Sequence, residues 1–147
     1  LIAEARMRAL IFGSLAFLLL IFGARAQDAP NAQSAPDVKA LISSQLDAFA
    51  RDDAKAAFGF AAPPIQARFS TPEAFLTMVK TVYPPVYRHR SVQFGEETRD
   101  GDKIEQGVVF VDGDNAVWAG VYTLRRQSDG GWKIEGCVIA RSKETSL

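Results

Sequence analysis

The chain is short of the residues around which many enzymes and metal proteins are built. Its 147 residues include one cysteine, Cys137, and one histidine, His89. A single cysteine excludes an internal disulfide, so a folded domain must be held together by packing. A single histidine excludes a histidine-rich metal site, and a Cys/His zinc site would find only two such ligands. The sequence contains no Gly-x-Ser-x-Gly elbow and no phosphate-binding glycine loop. Neither sign of charge dominates: 17 Lys and Arg balance 17 Asp and Glu. That excludes the strong basic excess usual in nucleic-acid binding, and no such partner is expected. The apolar run over residues 9–22 also falls short of the roughly 20 residues of a membrane span.

That run has a different reading. Arg8 precedes it, and Ala24-Arg25-Ala26 follows with the small-x-small pattern of a signal-peptidase site. Residues 1–26 are therefore expected to be a signal peptide, with Met7 as the start and cleavage after Ala26. The expected location is periplasmic or secreted. Contact with a membrane would occur only through this segment, if it stayed uncleaved. Residues 27–36, rich in Ala, Pro, Asn, Gln and Ser, read as a flexible leader. Residues 1–26 hold three Arg and one Glu, so 17 less 3 leaves 14 basic groups and 17 less 1 leaves 16 acidic ones, a net charge of −2. The remaining length suits one domain with a proper core, expected over residues 37–142.

Within that domain the hydrophobic period changes once. Asp37 is a good N-cap, and Val38, Leu41, Ile42, Leu46 and Phe49 recur at helical spacing. Asp52 or Asp53 caps a shorter second helix, which Pro63-Pro64 end. Ser70 and Glu73 have capping-box spacing, with Pro72 in the first turn of a third helix. Phe75, Leu76, Met78, Val79 and Val82 form its stripe. Pro84-Pro85 stop it, and the chain is expected to run extended from Val86 to Arg90. From Ser91 the period is two. Turns at Arg99-Asp100-Gly101-Asp102, Asp112-Gly113-Asp114-Asn115 and Ser128-Asp129-Gly130-Gly131 separate four strands. Helices followed by a four-stranded antiparallel meander make an α+β domain. Val109 and Val111 beside Val108 and Phe110 suggest a sheet covered on both faces, by the helices and by a second subunit.

Four segments carry a resemblance. They are Gln45-Leu46-Asp47-Ala48-Phe49, Ile65-Gln66-Ala67-Arg68-Phe69 with Thr71-Pro72, Tyr83-Pro84-Pro85-Val86-Tyr87-Arg88, and Gly131-Trp132-Lys133-Ile134-Glu135-Gly136-Cys137. Together they resemble the bacterial family "domain of unknown function 4864" over about residues 37–141. The Gly-Trp-Lys-Ile ending also looks like the last strand of the nuclear transport factor 2-like, or cystatin-like, superfamily. That likeness implies N-terminal helices on a curved four-stranded antiparallel sheet, often with a cone-shaped pocket. The superfamily holds isomerases, dehydratases and many proteins without catalysis, so it implies no activity.

The residues themselves offer six candidates for ligand contact. Gln45 falls near the centre of the first helix's apolar stripe. A buried amide there is either satisfied by backbone or water, or faces a pocket. Tyr83, Tyr87 and Arg88, followed by His89 and Arg90, form the densest polar-aromatic cluster. They either line a mouth for an anionic or aromatic ligand, or pack the crossover while the cations are solvated or meet Glu96 and Glu97. Trp118 and Tyr122 share one face of the third strand, to stack on a ligand or to form a dimer contact. Asp47 points away from the stripe and is not a general base. Isomerase chemistry needs an interior carboxylate opposite such phenols. None falls clearly inside, since Glu135 alternates with Lys133 on the more polar face. Cys137 reads as a buried structural thiol. No catalytic residue, metal or cofactor is expected. The expected role is an exported, non-catalytic domain that binds a small ligand or a partner, with a possible homodimer through the sheet face. The alternatives are an isomerase- or dehydratase-type enzyme in the same pocket, and an envelope-associated structural or dimerisation module.

Overall fold

The computed structural model describes residues 36–143. The expected signal segment, and all of the expected leader but Pro36, lie outside the described residues. Among the described residues, no helix is long and apolar enough to cross a membrane.

Among the described residues, five helices precede four strands. They are α1 (Val38–Ala50), α2 (Ala54–Gly59), α3 (Pro63–Gln66), α4 (Pro72–Val82) and α5 (Pro84–Tyr87), then β1 (Ser91–Asp100), β2 (Lys103–Val111), β3 (Val117–Arg126) and β4 (Trp132–Arg141). The sheet is the antiparallel meander β1-β2-β3-β4. The α+β class therefore holds.

Each helix start has a local cause. Asp37 accepts from the Ala40 N–H at 2.9 Å and caps α1. Asp53 does the same for α2 through Ala56. At α4 the cap is Thr71, which accepts from Ala74 at 3.1 Å, so the expected cap at Ser70 is one residue early. Thr71 has the extended backbone of an N-cap, and it places Pro72 at the first helical position.

Both double prolines differ from expectation for one reason. A proline cannot continue a helix, but it suits the first turn, where its missing N–H loses no bond. Pro63-Pro64 open α3, and Pro84-Pro85 open α5 directly after α4. The chain is thus helical to Tyr87 and extended only from Arg88.

The core lies between the helices and one face of the sheet. Ile42, Leu46 and Phe49 of α1, Phe75 and Val79 of α4, and Val86 of α5 meet Ile104, Val108, Phe110, Tyr122, Leu124 and Ile134. Each fully buried side chain of this kind contributes roughly 1.5–3 kcal/mol. Gln106 is buried among them. Its amide donates to Gly95 O at 3.0 Å and to Gly107 O at 2.9 Å, beside the register shift between Phe94 and Glu97. The helices are tied to β4 by backbone. Ala62 N–H donates to Ile134 O at 2.7 Å, and Ile134 N–H donates to Phe60 O at 2.8 Å. The other face carries Val109, Ala119, Val121 and Val138, with Val121 41% and Val138 74% exposed.

Candidate functional site

A cavity of about 390 Å³ opens between the helices and the β3–β4 end of the sheet. That volume is at the low end of the roughly 300–1,000 Å³ usual for small-molecule sites. Its floor is buried: Gln45 and Phe49 from α1, Phe75 and Val79 from α4, Val86 from α5, Tyr122 from β3 and Ile134 from β4. Its rim is partly or fully exposed and carries Ile65, Arg68, Phe69, Met78, Val82, Tyr83, Glu135, Gly136 and Cys137. Phe75 anchors the aromatic wall, with ring centroids 6.0 Å from Phe49, 5.4 Å from Phe58 and 5.5 Å from Phe69.

The polar groups in this wall are few and uncharged. Gln45 is 3% exposed, and its Nε2 donates to Ala57 O at 3.1 Å, bracing α1 on α2. The Tyr122 hydroxyl is buried without a hydrogen-bond partner of good geometry. Cys137, its cross-strand neighbour, offers only a sulfur, which is a weak acceptor. Burial pushes the Tyr122 phenol well above its ordinary range and the Cys137 thiol up to about 12. Both stay protonated at neutral pH. Neither is an activated nucleophile or base.

At the rim, Glu135 is bound by Arg125, with Nη2 to Oε2 at 3.1 Å and Nε to Oε2 at 3.3 Å. Arg68 is exposed, and its side chain has no partner among the described residues. The Tyr83 hydroxyl likewise makes no hydrogen bond among them.

Of the six candidates, the structure brings Gln45, Tyr83 and Tyr122 to this cavity. It places the other three elsewhere. Tyr87 and Arg88 face Asp52, beside the end of α1. Tyr87 Oη donates to Asp52 Oδ1 at 2.6 Å, and Arg88 Nη2 reaches Oδ2 at 3.1 Å. Arg88 Nη1 also donates to Phe49 O at 2.6 Å, satisfying a carbonyl in the last turn of α1. Lys80 joins the carboxylate at 2.9 Å, and both cations lie over the Tyr87 ring. So Asp52, rather than Glu96 or Glu97, is the partner of Arg88. The Tyr87 hydrogen bond and then Lys80 hold the Asp52 carboxyl down at about 2. Trp118 Nε1 donates to Asp112 Oδ2 at 2.8 Å and fastens the β2–β3 turn. Tyr122 shares the inner face with Trp118 and is 1% exposed, so it cannot serve an exposed dimer contact. His89 is half-buried beside Phe110, with a ring distance of 5.2 Å, and burial lowers its pKa.

Sequence reasoning missed Arg68 and the aromatic wall. Phe75 and Val79 were visible as an apolar stripe, which reads as core. Only the packing shows that the core leaves a space there.

The model of one protein family matches residues 31–147, which include every element above. The chain belongs to the family Domain of unknown function (DUF4864). No curated protein matches it. Within this DUF4864 chain the segments that carry the family resemblance sort into two structural roles. Gln45, Phe49, Ile65, Arg68, Phe69, Tyr83, Val86 and the Ile134–Cys137 stretch line the cavity. Tyr87 and Arg88 belong to the Asp52 cluster beside it. Among the described residues, no group of three or more His, Cys, Asp or Glu side chains could hold a metal ion.

Proposed function

We propose that this DUF4864 domain is an exported, non-catalytic binding module that holds a small, largely apolar ligand between its helices and its sheet. The observation that carries the reading is the aromatic-walled cavity between the helices and the sheet, lined by Phe49, Phe69, Phe75 and Tyr122. Several features favour binding over turnover. The cavity's phenol and thiol are held protonated, and Glu135, the one carboxylate among its described lining residues, is committed to Arg125. Helices on one face of an antiparallel meander, with a cavity between the layers, also support a nuclear transport factor 2-like cone. The uncharged outer face around Val121 and Val138 supports a homodimer with a second copy of this chain.

Export rests on residues 7–26. Expression of the full chain in a bacterium should deliver periplasmic protein whose N-terminus is Gln27. Uncleaved protein in the cytoplasm would overturn that part. The binding part is tested by native mass spectrometry and ligand extraction of the same periplasmic protein. A retained small molecule lost on Phe75→Trp substitution is expected, and protein that is always empty counts against it.

A further inference from the structure

The cavity sorts its polar groups by depth, and that sorting constrains what it can hold. On the floor, Gln45 already spends its Nε2 on Ala57 O, and Tyr122 is a neutral phenol; Cys137, its cross-strand neighbour toward the rim, is a neutral thiol. Among the described residues no charged side chain lies there to receive an ion, and burying one unpaired would be costly. A charged part of a ligand must therefore stay at the rim.

Among the described residues, two charged side chains line that rim. Glu135 receives three contacts within 3.4 Å from Arg125, so its charge is compensated inside the protein. Arg68 has no partner among the described residues. Arg68, Arg125 and Glu135 together leave one net positive charge, and it sits on the side chain that is free to move. A cationic ligand would have to compete with Arg125 for Glu135. An anionic one meets an unoccupied guanidinium, whose planar fork suits a carboxylate.

Building on the binding reading above, we infer that the ligand is an amphipathic monocarboxylate. Its apolar body lies against Phe49, Phe69, Phe75 and Val79, and its carboxylate stays at the rim on Arg68. Tyr83, whose hydroxyl is also unpaired, is the second rim donor within the same lining. An aliphatic and an aromatic acid share this chemistry, so both are probed.

The test uses the full chain and two matched pairs, octanoate with octanamide and 2-naphthoate with 2-naphthamide. Each pair keeps the apolar body and changes only the charge. Binding is followed by amide chemical shifts and by isothermal titration, in the native chain and in Arg68→Gln. Arg68 is exposed, so its replacement leaves the core intact. At least one acid should shift the Phe75, Val79 and Tyr122 signals and bind about fivefold tighter than its amide, as expected for a partly exposed charge-assisted pair. Arg68→Gln should erase that margin without weakening the amide, and salt should shrink it. If acid and amide bind the cavity equally and Arg68→Gln changes nothing, the carboxylate inference fails while the binding reading stands. If no probe moves the cavity signals, both fail.

Discussion

Tyr122 carries a hydroxyl into a place where only a sulfur stands beside it, and that arrangement has a measurable consequence. Removing the oxygen removes an unsatisfied donor and leaves the ring packing in place. Tyr122→Phe should therefore stabilise the ligand-free domain by about 1 kcal/mol, read as a higher midpoint in urea. A lower midpoint would mean the hydroxyl has a partner in solution. Asp52 is the opposite case, a charge with three partners. Its backbone sits at φ 55°, a left-handed conformation that Asp tolerates better than most residues. Its pKa is lowered from 3.8 to about 2 by the Tyr87 hydrogen bond and then by Lys80. A carboxyl whose folded pKa is depressed contributes stability above its unfolded value and loses it as pH falls toward the folded one. The melting temperature of the native chain should accordingly fall between about pH 4 and pH 2. Asp52→Asn should start lower at pH 7 and show a shallower fall across that window. Equal slopes would remove Asp52 from the account.

At the scale of the element, helix starts decide how the chain reaches the site. Thr71, not Ser70, accepts the hydrogen bond that opens α4. Thr71→Ala should then cost about 1 kcal/mol, with Ser70→Ala close to neutral, as compared by thermal unfolding. The two residues are adjacent and of one chemical kind, which is why spacing to Glu73 alone misplaced the cap. The double prolines show a related ambiguity. A proline pair ends the helix before it and suits the first turn of a new one, and only the space available downstream decides between these. The strands were plainer. Period-two alternation and Asp-Gly turns gave four strands in their observed order, because hairpins are local in sequence. The site was less legible. Gln45 stands out as a polar group on an apolar helix face, Tyr83 belongs to the polar-aromatic run, and Tyr122 is marked only as an aromatic sharing a strand face with Trp118. Arg68 looked like any surface cation, because its meaning depends on Glu135 being occupied by Arg125, far along the chain, and no local pattern spans that separation.

For the whole molecule, the outer face of the sheet matters most. Val138 is 74% exposed on the edge strand β4, next to Val121 in a cross-strand row without charge. If a second copy covers that face, Val138→Lys should convert a dimer to a monomer in light scattering. As a surface change it should leave the fold of the monomer within about 0.5 kcal/mol. A native chain that is already monomeric would refute the dimer. The cavity has a different dependence on the whole chain. Its helical wall ends at Val86, yet the phenol of its floor comes from Tyr122 and its closing edge from Ile134 to Cys137. The order of synthesis therefore runs against the site. More than thirty residues separate the last helical contribution from the first strand contribution. Until β4 reaches Phe60 and Ala62, the rings of Phe49, Phe69 and Phe75 lack the Ile134–Cys137 edge opposite them. The cavity closes only once β4 is made, and a nascent chain stopped before Trp132 would lack its Ile134–Cys137 edge.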